Sequence, residues 1–124
     1  MRYCFLLRVR PELLEEYIER HAAVWPDMLR ALRQAGWERY SLFARPDGLI
    51  VGYLEAEDLA AAQRAITATE ANTRWQLEMR RFFVSVDGQA PAGDLVLLEP
   101  IFNLDDQLAA ADRRDPAPAR DQVT

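Results

Sequence analysis

A chain of 124 residues has room for one hydrophobic core and not two, because domains cluster at about 100 to 150 residues. Half of the residues are apolar and 28% are charged, a composition that can bury a core and that excludes disordered and collagen-like classes. The 15 basic residues stand against 20 acidic ones for a net charge of -5, which opposes binding to a phosphate backbone and argues against nucleic acid as a partner.

Every basic residue is arginine. No lysine amine is therefore present for a Schiff base, for pyridoxal phosphate or for a phosphate-binding loop. Cys4 is the lone cysteine, so neither an intrachain disulfide nor a thiolate zinc cage can form, and the expected setting is the reducing cytoplasm. Arg8 and Arg10 interrupt the only leader-like stretch, and no run approaches the about 18 apolar residues of a membrane span. Neither export nor contact with a membrane is expected.

From Tyr3 to Arg10 the residues alternate, with Tyr3, Phe5, Leu7 and Val9 on one face, which reads as a strand. Pro11 opens an amphipathic helix on which Leu14, Tyr17, Ile18 and His21 share a face, ending near Val24 ahead of Pro26. Pro26 starts a second helical piece carrying Leu29 and Leu32, and Gly36 stands where a left-handed C-cap is wanted. Trp37–Ala44 and Leu49–Glu55 read as strands joined through Arg45-Pro46-Asp47-Gly48, a hairpin. The alanine-rich segment from Asp58 to Ala68 favours helix, and Thr69 caps a further piece bearing Trp75 and Met79 at i, i+4 spacing. Gly88, Pro91 and Gly93 mark a loop, and Leu95–Leu104 reads as a last strand in which Pro100 implies an edge position or a bulge. Residues 1–104 thus form the single domain, and 105–124 read as a polar, mobile C-terminal tail.

The order β-α-β-β-α-β is the split arrangement of the ferredoxin-like α+β fold, an antiparallel sheet with helices on one face. Its strands are apolar on both sides, so the uncovered face predicts a homodimer packed through the sheet faces.

His21, the only histidine, is the one side chain with an ordinary pKa near neutrality and so the first candidate for acid-base work. The competing reading has its ring bonded to a backbone carbonyl on a half-buried helix face. Tyr17 lies one turn before it and Trp25 one turn after, so a phenol, an imidazole and an indole line one wall if the helix continues that far. Sugars need hydroxyl partners and a flat ring for their C–H faces, and Trp75 can supply the ring or be a core indole, as can Trp25 and Trp37. Tyr40 faces either a cavity or the dimer seam. Met79 reads as packing, and Glu15, Glu16, Glu19 and Arg20 as a solvated face with Arg80 and Arg81. Cys4 reads as a small apolar residue, and one histidine argues against a dedicated metal site.

At His21-Ala22-Ala23-Val24-Trp25-Pro26, preceded by Glu16-Tyr17, the chain resembles the L-rhamnose mutarotase family. The likeness continues through Tyr40-Ser41-Leu42-Phe43, Asp47-Gly48-Leu49, Arg74-Trp75 with Met79, and Ile101-Phe102-Asn103-Leu104-Asp105. The resemblance implies a dimeric α/β barrel and interconversion of the α and β anomers of a 6-deoxy sugar, L-rhamnose first, without a cofactor. By motif, His21 matches the proton donor, and Tyr17, Tyr40 and Trp75 match sugar-contacting residues. Gln76 stands at the sugar-contacting position where many members carry a second tryptophan, and Asn103 where several carry histidine. A relative acting on L-fucose shares the same histidine and Trp-Pro signature. Fold analogy adds small monooxygenases and haem-binding proteins of the same dimeric barrel class, and a sugar-sensing module without catalysis is a third reading.

Overall fold

The computed structural model describes residues 1–114 of the chain. Strand β1 (Arg2–Val9) leads through a 3₁₀ turn (Pro11–Leu13) to α1 (Leu14–Ala22), followed by α2 (Pro26–Gln34), β2 (Glu38–Ala44) and β3 (Leu49–Glu55). Helices α3 (Leu59–Thr67) and α4 (Glu70–Met79) precede β4 (Phe83–Val84), β5 (Val96–Leu98) and α5 (Leu104–Arg114). Local chemistry sets most of these limits. Asp58 caps α3 by accepting from the Ala60 N–H at 3.0 Å, and the Thr69 hydroxyl caps α4 by accepting from the Asn72 N–H at 3.2 Å. Helix α2 closes with the Trp37 N–H donating to the Leu32 carbonyl at 3.1 Å, the longer bond of a Schellman turn. In the hairpin turn the Gly48 N–H donates to the Arg45 carbonyl at 2.9 Å. Gly48 has φ 95°, and a Cβ there would lie 2.2 Å from the Val9 carbonyl oxygen, so the turn demands glycine.

The sheet order is β2-β3-β1-β4 with β5 also on β1, and every pairing is antiparallel. This is the ferredoxin-like α+β arrangement expected from the element order. The buried strand residues Phe5, Leu7, Val9, Ile50 and Leu54 all belong to one face, where they join Leu14, Tyr17, Met28, Ala62, Ile66 and Trp75 from the helices. Helices α1 to α4 therefore cover one side of the sheet. The other side carries the row Phe43, Val51, Leu6, Val96 across four strands, half-buried to exposed.

Three expectations differ from the structure. Helix α1 stops at Ala22, and Ala23 at φ -148° and ψ 68° has already left the helical region, two residues earlier than Val24. The last strand is not one run from Leu95 to Leu104. Its place beside β1 is shared by β4, opposite Arg8 and Val9, and β5, opposite Cys4 to Leu6, with the intervening segment looped out. Pairing ends at Leu98, ahead of Pro100, which has no N–H to give the ladder. Residues 104–114, read from the sequence as the end of the domain and the start of a tail, form α5, with the Asp106 N–H donating to the Asn103 side chain at 2.9 Å. The rest of the tail reading, 115–124, lies outside the described residues. Among the described residues no helix is long and apolar enough to cross a membrane.

Candidate active site

Between the helices and the inner sheet face lies a cavity of about 580 Å³, within the usual span for small-molecule sites. Tyr17 and His21 enter it from α1 because four residues make one helical turn, and their rings pack with centroids 4.2 Å apart. His21 Nδ1 lies 2.8 Å from the Tyr17 carbonyl oxygen. That oxygen can only accept, so Nδ1 carries the hydrogen and Nε2 is the nitrogen left for the cavity. The expected bond to a backbone carbonyl is thus present, and the same ring also lines the hollow. Burial pushes its pKa below the ordinary 6.5, partly offset by the hydrogen bond to Tyr17, so the ring is neutral at pH 7.

Trp75 on α4 meets His21 edge-on at 5.4 Å between centroids. It is only 7% exposed, so it is at once a core indole and part of the cavity wall. Tyr40 points inward with Leu42, settling the choice between cavity and seam. Strict alternation would send Trp37 and Tyr40, three residues apart, to opposite faces. A β-bulge between Glu38 and Ser41, with Arg39 at φ 48°, inserts one residue and lets both rings face inward, 4.9 Å apart. The Trp37 indole N–H donates to the Ala62 carbonyl at 3.1 Å.

The phenols behave as fixed donors. Burial raises the pKa of Tyr17, with a further push from nearby Tyr40, and raises that of Tyr40 to about 12. Tyr53 and Tyr3 hydroxyls have protein partners, whereas among the described residues those of Tyr17 and Tyr40 have none and border the cavity. Buried hydroxyls without partners are costly, which makes them natural contacts for a polar ligand. Gln76 also borders the cavity, its amide donating to Asn72 Oδ1 at 3.1 Å.

Trp25 departs from expectation. It is not part of this wall, because α1 has ended and Pro26 holds Trp25 at an extended φ -53° and ψ 134°. It packs edge-on to Trp75 at 5.1 Å and carries the Arg74 guanidinium over its ring at 5.4 Å. Met79, read as packing, is fully buried and forms part of the cavity wall. Arg20 bridges Glu16 and Glu78, and Arg81 pairs with Glu16, so the charged face ties α1 to α4. Cys4 lies on the opposite sheet face, paired with Leu98 and Tyr53. Among the described residues no group of three or more His, Cys, Asp or Glu is placed to hold a metal.

The sequence reading missed Gln63, Thr67 and Asn72, which also border the cavity. Their signal was weak: Gln63 and Thr67 flank the buried Ala62 and Ile66 on α3, as Asn72 and Gln76 flank Ala71 and Trp75 on α4. On an alanine-rich helix such residues look like solvent-facing positions.

Among solved structures, the fold resembles an L-rhamnose mutarotase from Formosa agariphila, with TM-score 0.65, 23% identity, and coverage of 84% of this chain and 98% of that one. An antibiotic biosynthesis monooxygenase shares the fold alone, with TM-score 0.51, 20% identity, and coverage of 82% and 98%. Sequence relatives are closer. The L-rhamnose mutarotase of Pectobacterium carotovorum subsp. carotovorum is 33% identical over 106 residues, 85% of this chain and 99% of the relative. That of Bacillus subtilis is 31% identical over 105 residues, 84% and 98%. With the L-rhamnose mutarotase family model matching residues 2–104 as well, the chain belongs to that family.

Proposed function

We propose that the chain is an isomerase that interconverts the α and β anomers of a neutral 6-deoxy sugar, L-rhamnose, with His21 as proton carrier and no cofactor. The observation that carries this is the anchoring of His21 Nδ1 on the Tyr17 carbonyl at 2.8 Å, which leaves a neutral Nε2 at the cavity. Nε2 accepts the proton of the anomeric hydroxyl. The O1–H electron pair forms the C1=O1 double bond, and the C1–O5 bond breaks with its pair going to the ring oxygen. The imidazolium then delivers the proton to O5, so His21 ends each opening as it began. Rotation about C1–C2 presents the other aldehyde face, and the same steps in reverse close the ring. Tyr17 and Tyr40, held protonated by burial, donate hydrogen bonds to sugar hydroxyls, Trp75 offers its ring to the C–H face, and Gln76 contributes a further polar contact.

General acid-base catalysis supplies about a hundred- to ten-thousand-fold, enough to matter for an exchange that already proceeds in water. Saturation-transfer NMR tests the assignment: the protein should couple the two anomeric proton signals of L-rhamnose more strongly than those of L-fucose. His21→Asn should reduce exchange to the uncatalysed rate while circular dichroism is unchanged. Near-normal exchange in that variant refutes the mechanism, and saturable sugar binding without exchange in the unmodified protein favours a sensing role. The working form in this proposal is a cytoplasmic homodimer joined through the sheet face that bears Phe43, Val51 and Leu6.

A further inference from the structure

The cavity carries more polar side chains than the ring-opening chemistry itself calls for. Such a pyranose brings O1 and O5 to His21 and has three other hydroxyls, of which the Tyr17 and Tyr40 phenols serve two. Gln63, Thr67, Asn72 and Gln76 border the same cavity and add further donors and acceptors. Among the described residues the Gln63 and Thr67 side chains make no hydrogen bond within the protein. The Gln76–Asn72 bond uses one donor and one acceptor, leaving each amide with further capacity. Each pair stands at i, i+4 on its helix, so α3 and α4 each present two polar groups beside their buried stripe.

The same lining bears on charge. None of the cavity residues is Asp, Glu or Arg, so a uronate or a sugar phosphate would enter with its charge unpaired, which is strongly unfavourable.

We infer that Gln63, Thr67, Asn72 and Gln76 form a hydroxyl-reading wall, and that the protein accepts neutral aldopyranoses with a hydroxymethyl at C5 alongside their 6-deoxy counterparts. The inference rests on the mutarotase reading above. Thr67 and Gln76 are exposed at the mouth of the cavity, where water can replace an absent hydroxyl, so the 6-deoxy sugar is not rejected. Gln63 and Asn72 are half-buried, and the fourth hydroxyl gives them a partner that the methyl group cannot.

L-rhamnose and L-mannose differ only by that hydroxyl and serve as the probes. Saturation-transfer NMR on the intact protein should show exchange of both, with kcat/KM values within about tenfold of each other. Gln63→Leu combined with Thr67→Val should lower kcat/KM for L-mannose at least about tenfold more than for L-rhamnose. Gln76→Leu, at an exposed position where folding is not at stake, should shift the ratio in the same direction. Exchange of L-rhamnose without L-mannose, or equal losses for both sugars in the variants, overturns the wall while leaving the mutarotase reading intact. Exchange of neither sugar by the unmodified protein overturns both.

Discussion

The His21 ring is fixed from one side and free on the other, and this asymmetry gives its pH behaviour a sign. Burial is the larger influence and lowers its pKa below 6.5, while the hydrogen bond to the Tyr17 carbonyl pulls the other way. The base form that the proposed mechanism requires at Nε2 therefore persists at neutral pH and disappears only in more acid solution. The acid limb of kcat/KM should have its midpoint below 6.5, with the slope of a single proton, and should coincide with the His21 titration followed by NMR. A midpoint above 6.5 would assign the limb to another group. Stability follows the same direction. Between the folded and unfolded pKa values the unfolded chain binds more protons, so this contribution is complete above 6.5 and is lost as pH falls through the interval. Gly52 offers a second test at this scale. The Phe5 ring lies flat over it, and a Cβ there would sit 2.1 Å from Phe5 Cζ. Gly52→Ala must displace a fully buried ring, and the expected cost is about 1–3 kcal/mol by urea denaturation. His21, Tyr17 and Trp75 were legible because helical spacing and a motif pointed to them. Gln63 and Thr67 were not, since only the tertiary meeting of α3 and α4 around the hollow separates them from solvent-facing polar residues.

Elements whose ends carry their own chemistry were legible almost to the residue. The hairpin strand Leu49–Glu55 matches its expected limits, and α3 begins where Asp58 caps it. Because Asp58 accepts from two N–H groups of the first turn, Asp58→Ala should cost about 1 kcal/mol, seen as a lowered Tm with the far-ultraviolet spectrum retained. An unchanged Tm would mean that tertiary packing alone starts the helix. The edge of the sheet was less legible. β4 has two residues and β5 three, too few for alternation to register, and each exists because β1 supplies its partner. The bulge in β2 was hidden for a related reason. Nothing local shows that an extra residue at Arg39 turns Trp37 inward alongside Tyr40 and Leu42. The Arg39 guanidinium reaches Glu55 on β3 at 3.1 Å, tethering the bulge across the hairpin.

At the level of the whole molecule the two sheet faces have different occupants. The inner face is closed by four helices and the cavity between them, whereas the outer face presents Phe43, Val51, Leu6 and Val96 in one cross-strand row and Tyr53, Cys4 and Leu98 in the next. Phe43 is 63% exposed and Leu98 44%, and a contiguous apolar sheet of this kind is uncommon on a monomer. Two copies related by a twofold axis can cover both faces with one self-complementary contact. Stable interfaces bury about 800 Å² on each partner, so one charge at the centre of the row should suffice to break the contact. Val51 sits at that centre, between Leu6 and Phe43. Analytical ultracentrifugation should give about twice the 14.2 kDa chain mass for the unmodified protein and the single-chain mass for Val51→Arg. Because the substitution points away from the cavity, the NMR signals of His21 and Trp75 should keep their positions in the monomer. If Val51→Arg sediments as a dimer, the association uses another surface. If the unmodified protein sediments as a monomer, the apolar row has no second copy to cover it and the homodimer reading fails.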